Sequence, residues 1–151
     1  MSDRPALLLY DGRCGFCASS VQFVLRHESR RRTLRFAPLD SAIGLEVRGR
    51  HPSIEGIDSV VWVEPPETAG GTERVLVRST AVLRVLRYLG GAWSALARLA
   101  AIIPRAVADS GYDFVARHRH QLTRGNPACL VPAPDQRSRF IDWSQESAAS
   151  R

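Results

Sequence analysis

The sequence predicts an α/β fold: a core in the order β-α-β-α-β-β-α with additional helices at the C-terminal end. Three observations carry this expectation. Short apolar runs of strand length alternate with segments whose apolar residues recur at helical spacing. Two β-branched runs, Ser59 to Glu64 and Arg74 to Arg78, follow each other across a turn-rich connector, the pattern of an antiparallel hairpin. From Ser79 to about His120 the chain then reads almost wholly as helix.

The elements follow in order. Pro5 to Tyr10 is a buried strand closed by the Asp11-Gly12 turn. A helix is expected from Cys14 to His27, with Val21, Val24 and Leu25 on one face beside Phe23. Leu34 to Ala37 is a second strand, ended by Pro38, and Asp40 or Ser41 caps a helix running to about Arg50. Pro52 to Gly56 is a loop, and Pro65 to Gly71 joins the two hairpin strands. Ser79 is expected to cap a helix over Thr80 to Leu89, which Gly90-Gly91 stops. Ala92 to Ile103 is a strongly apolar helix, either core or a docking face. Pro104 opens another helix reaching about His120. Beyond Thr123, prolines 127, 132 and 134 break regular structure, and Phe140, Ile141 and Trp143 should dock this segment on the core. The expected organisation is one domain over residues 1–143 and a frayed tail over 144–151.

Composition narrows the function. All 21 basic residues are arginine, so lysine Schiff bases, lysine general bases and the phosphate-loop lysine are excluded. The net charge of +6 comes from arginines spread along the chain, and no nucleic-acid partner is expected from it. Arg30, Arg31 and Arg32 follow a helix end, where the dipole favours cations. Leu7, Leu8 and Leu9 are too short a run for a secretory signal, and no stretch has the length of a membrane span. Two of the three cysteines share one CxxC, which points to redox or metal chemistry in a reducing compartment. The expected setting is cytoplasmic.

The chemistry centres on Cys14-Gly15-Phe16-Cys17. Disulfide exchange needs one thiolate to attack and a second thiol to resolve the mixed disulfide. A strand, a turn and then a CxxC opening a helix supply both. Cys14 is expected exposed at the helix N-terminus, where free N–H groups and the dipole stabilise an anion. Cys17 lies one turn further in, able to close the ring, and Phe16 covers the sulfurs. Asp11 stands three residues before Cys14: it either handles the Cys17 proton and orients the turn, or simply makes an Asp-Gly turn. The site expected is therefore Cys14, Cys17 and Asp11, with no cofactor and no metal. The partner is a protein or small-molecule thiol or disulfide, with a reductant of unspecified identity.

Two other readings use the same residues. Cys14, Cys17 and Cys129 with His118 or His120 would make a zinc-stabilised module, but Cys129 has no CxxC mate and the two histidines are spaced i, i+2. Alternatively the CxxC is vestigial and the chain is an interaction module docking through its apolar C-terminal helices. Cys129 reads most simply as a small buried hydrophobe.

The order of elements, with the CxxC between the first strand and first helix, is that of a thioredoxin-like core. At Tyr10-Asp11-Gly12-Arg13-Cys14-Gly15-Phe16-Cys17 the chain resembles the DCC family of predicted thiol–disulfide oxidoreductases, which are mostly bacterial. Arg35-Phe36-Ala37-Pro38-Leu39, Asp58-Ser59-Val60-Val61, Arg78-Ser79-Thr80-Ala81, Leu89-Gly90-Gly91 and Tyr112-Asp113 continue the resemblance. It implies a thioredoxin-like fold with Asp11, Cys14 and Cys17 as signature residues. Thioredoxins carry a proline just before the third strand; here Ile57-Asp58-Ser59 stands in its place. The family's aromatic-rich stretch is here Gln121-Leu122-Thr123-Arg124.

Overall fold

The structure is a computed structural model that describes residues 5–28, 33–122 and 132–141. Its order is β1 (Leu7–Tyr10), α1 (Gly15–His27), β2 (Arg35–Pro38), α2 (Ala42–Arg50), β3 (Val61–Glu64), β4 (Arg74–Val77), α3 (Arg78–Leu89), α4 (Gly91–Ala100) and α5 (Arg105–Leu122). The four strands form one sheet in the order β2-β1-β3-β4. β1 runs parallel to β2 and antiparallel to β3, and β3 pairs antiparallel with β4. This mixed sheet, with the late hairpin beside the first strand, is compatible with a thioredoxin-like core.

Strand periodicity sorts the core into two layers, because successive side chains of a strand point to opposite faces. Leu8, Phe36, Trp62 and Leu76 join α1 and α3 on one face. Leu9, Ala37, Val61, Val63 and Val75 join Val47 of α2 on the other. Both faces of β1 are thus covered, which explains its uninterrupted apolar run. α5 lies across α3 and α1, on the first of these faces.

Local chemistry sets the boundaries. Ser41, one of the two expected caps, is the N-cap of α2 and accepts from the Gly44 N–H at 3.2 Å. Gly44 permits a close approach: a Cβ there would stand 2.5 Å from the carbonyl oxygens of both Leu39 and Pro38. The expected loop after α2 contains a 3-10 turn, Pro52–Ile54. Gly90 and Gly91 end α3 as expected, with φ of 72° and 53° in the left-handed region.

Ser79 does not cap α3. The helix begins one residue earlier, at Arg78, whose φ of 54° turns the chain out of β4. Ser79 instead lies inside the first turn and donates to the Asp109 carboxylate of α5. α4 is not a core helix: Ala97 is its one buried residue, and Leu96 and Leu99 are exposed.

The segment before residue 142 docks as expected through Phe140, which stacks on Phe36 at 5.1 Å, and through the Ile141 N–H, which donates to the Phe36 carbonyl. This contact lies along β2, at the edge of the sheet. Arg139 fixes it further. Its guanidinium donates to both oxygens of Glu28 and to the Leu34 carbonyl, and Tyr88 donates to the same carboxylate at 3.1 Å. Arg30, Arg31, Arg32, Thr123, Cys129, Trp143 and the tail from 144 lie outside the described residues.

Candidate active site

The turn after β1 carries the CxxC to the start of α1. The Cys14 N–H donates to the Asp11 carbonyl at 3.2 Å, and the Arg13 N–H donates to the Asp11 carboxylate at 3.0 Å. These two bonds are the local turn chemistry foreseen for Asp-Gly. Cys14 is the N-cap of α1 and its carbonyl accepts the Ala18 N–H at 3.0 Å. Its side chain makes no capping bond, so the sulfur is not committed to the helix end.

Cys14 and Cys17 are both free thiols and lie in hydrogen-bonding contact. The expectation that Cys14 stands exposed is corrected: it is 1% exposed and Cys17 is 3% exposed. Both belong to the cluster that contains Tyr10, Val21 and Trp62, with Phe16 packed against it. Burial pushes the Cys17 thiol up to about 12, aided by the charge of Cys14 and the hydrogen bond to it. A hydrogen bond from the Asp11 backbone and the positive charge of Arg119 act in the opposite direction.

Three residues that the motif alone does not reveal complete the surroundings. Arg119 on α5 reaches Asp11 at 3.8 Å and donates to the Asp58 carbonyl. Tyr112, two turns earlier on α5, interacts with the Ser59 side chain, the Val60 backbone and the charge of Cys17. Burial holds its phenol above the ordinary range. A signal for the pair was present, since the i, i+3, i+4, i+7 spacing of Tyr112, Val115, Ala116 and Arg119 puts them on one helix face. Ser59, in the Ile57-Asp58-Ser59 stretch just before β3, is buried and lines the same space as Cys17.

That space is a cavity of about 630 Å³ between α1, α3 and α5. Cys17 forms part of its wall together with Leu8, Val21, Leu83, Leu86 and Tyr112.

Of the zinc set, His118 bonds the Phe114 carbonyl at 2.8 Å through Nδ1, while Cys129 and the His120 side chain lie outside the described residues. Among the described residues no three His, Cys, Asp or Glu side chains gather as a metal site, and no helix is long and apolar enough to cross a membrane.

A mixed β2-β1-β3-β4 sheet with two adjacent thiols at the start of its first helix is compatible with a thioredoxin-like dithiol protein. The chain matches the family described as DCC1-like thiol-disulfide oxidoreductase over residues 8–125, and it belongs to that family. It is 29% identical over 136 residues to the uncharacterized protein YuxK of Bacillus subtilis, covering 89% of this chain and 93% of that one. It is 32% identical over 130 residues to the DCC family protein At1g52590, chloroplastic, of Arabidopsis thaliana, covering 84% of this chain and 70% of that one. No solved structure matches.

Proposed function

We propose that the protein exchanges a dithiol for a disulfide through Cys14 and Cys17. The observation that carries this reading is the contact between two free thiols at the N-terminus of α1. Family membership supports the reaction class. In the reducing direction the Cys14 thiolate attacks one sulfur of a substrate disulfide, and the other sulfur leaves as a thiolate. Cys17 then loses its proton and attacks the Cys14 sulfur, which forms the intramolecular disulfide and releases the second thiolate. The two released thiolates take up two protons, and the substrate gains two electrons.

The roles follow from the surroundings. Cys14 sits where the helix dipole favours an anion. Cys17, held up to about 12, keeps its proton until Cys14 is consumed. Asp11 shapes the turn and faces Arg119, the cation that eases deprotonation of Cys17.

Single substitutions test the assignment. Cys14→Ser is expected to abolish turnover of a disulfide substrate. Cys17→Ser is expected to accumulate a mixed disulfide on Cys14, visible by mass spectrometry. Full activity in Cys14→Ser would overturn the proposal.

A further inference from the structure

The cavity beside Cys17 is lined by residues of two kinds. Its body is walled by the aliphatic side chains of Leu8, Val21, Val24, Leu83, Val85 and Leu86. Its polar lining residues include Cys17, Ser59, Tyr112 and Arg119. At about 630 Å³ the space falls within the size range of small-molecule sites, about 300–1,000 Å³, and has their usual make-up of an apolar body with a few convergent polar groups.

It is also reached from solvent. Val82 of α3, Ile103, and Val115 of α5 line it and are 40%, 47% and 38% exposed. Gly111, in the middle of α5, also lines it, and a Cβ there would meet nothing within 4 Å. A glycine inside a helix costs about 0.5–1 kcal/mol relative to alanine. Packing does not require it here, and it leaves room on the α5 side of the lining.

The charge of the lining constrains the occupant. Arg119 is the cation among the lining residues, and it already faces the Asp11 carboxylate and the Asp58 carbonyl. The hydroxyls of Ser19, Ser20 and Ser79 are directed to Gly15, Phe16 and Asp109. A multiply charged thiol peptide would therefore bury its carboxylates without compensation. An uncharged apolar molecule would meet matching walls along the whole body of the cavity.

We infer that this cavity binds the apolar body of a small uncharged disulfide, or of the thiol formed from it, with its sulfur against the wall that Cys17 forms, close to which Cys14 lies. The inference builds on the exchange reaction proposed above and names its substrate class. With diphenyl disulfide as the representative, the dithiol and the disulfide give two molecules of thiophenol and the Cys14–Cys17 disulfide. Both protons and both electrons end on the thiophenols.

The test uses the full chain and two probes. Bibenzyl has the two phenyl rings and about the size of diphenyl disulfide but no sulfur, so its binding reports the cavity without the chemistry. It is expected to bind once per chain by titration calorimetry, equally well to Gly111→Ala, and about tenfold more weakly to Gly111→Phe, which adds a ring to the lining. The second probe is turnover: rates with diphenyl disulfide and with oxidised glutathione, each divided by the rate with free dithiothreitol. The ratio is expected to favour the apolar disulfide by about tenfold or more. No saturable bibenzyl binding, or binding that Gly111→Phe leaves untouched, would overturn the cavity assignment even if exchange occurs. Bibenzyl binding with no exchange of either disulfide would uphold the site and overturn the reaction.

Discussion

Arg119 and Asp11 face each other across the CxxC turn, with the Arg119 Nη2 atom 3.8 Å from the Asp11 Oδ2 atom. The contact joins the last long helix to the loop that carries both thiols, 108 positions apart in sequence. It places a cation where it acts on the Cys17 sulfur, beside a carboxylate that moderates it.

This arrangement predicts opposite effects for the two partners. Asp11→Asn keeps the turn, since asparagine also accepts the Arg13 N–H, but removes the charge facing Arg119. The Cys17 titration should move down. Arg119→Met should move it up. Cysteine-selective NMR titration of the reduced protein measures both, and equal shifts in one direction would contradict the arrangement.

The same thiol makes stability depend on alkaline pH. A group whose folded pKa is raised contributes stability that is fully present below its unfolded value, here 9.0, and lost as pH rises toward about 12. Tyr88 and Tyr112, also raised by burial, add to the loss in every variant that retains them. Cys17→Ala should therefore lose less stability than wild type between about pH 8 and pH 11, as read from urea unfolding. An identical loss would show that Cys17 is not the buried thiol described.

The Glu28–Arg139 pair holds the segment along β2, with side chains 2% and 12% exposed. Arg139→Met leaves a buried carboxylate without its main partner and should cost about 3 kcal/mol. The double variant Arg139→Met/Glu28→Gln should recover part of that loss in a double-mutant cycle. Additive losses would mean that the pair does not act as a unit.

Two glycines of α2 should respond oppositely to alanine. At Gly44 a Cβ would collide with backbone oxygens at 2.5 Å, so Gly44→Ala should destabilise the fold. At Gly49 a Cβ meets nothing within 4 Å, so Gly49→Ala should stabilise by about 0.4–1 kcal/mol. Thermal melts of the two variants give the signs directly.

Much of the fold was legible because strands and helices write their periods locally. The apolar run of β1, the helical spacing in α1, the hairpin runs and the Gly90-Gly91 stop all appear as expected. What failed was nonlocal. Ser79 looked like a cap because caps are serines before apolar runs, yet its partner is Asp109, thirty residues away. The apolar pattern of α4 left core and docking face open; the helix packs on α3 and, through Trp93, on Phe23 and His27 of α1, and leaves Leu96 and Leu99 to solvent. Cys14 looked exposed because helix starts usually are; the cluster formed by Tyr10, Phe16 and the sheet covers it. The site was legible as a motif, Cys14, Cys17 and Asp11. Its neighbours Tyr112 and Arg119 share a helical face, but no local rule says which face meets the thiols.

The central claim is that Cys14 and Cys17 form one reversible redox pair. Equilibrating the purified protein against a graded series of reduced and oxidised dithiothreitol, then alkylating and counting thiols by peptide mass, tests it directly. The account predicts a two-thiol transition with a single midpoint, in which Cys14 and Cys17 lose reactivity together. Cysteines that stay alkylatable across the whole series, or that change independently of each other, would contradict it.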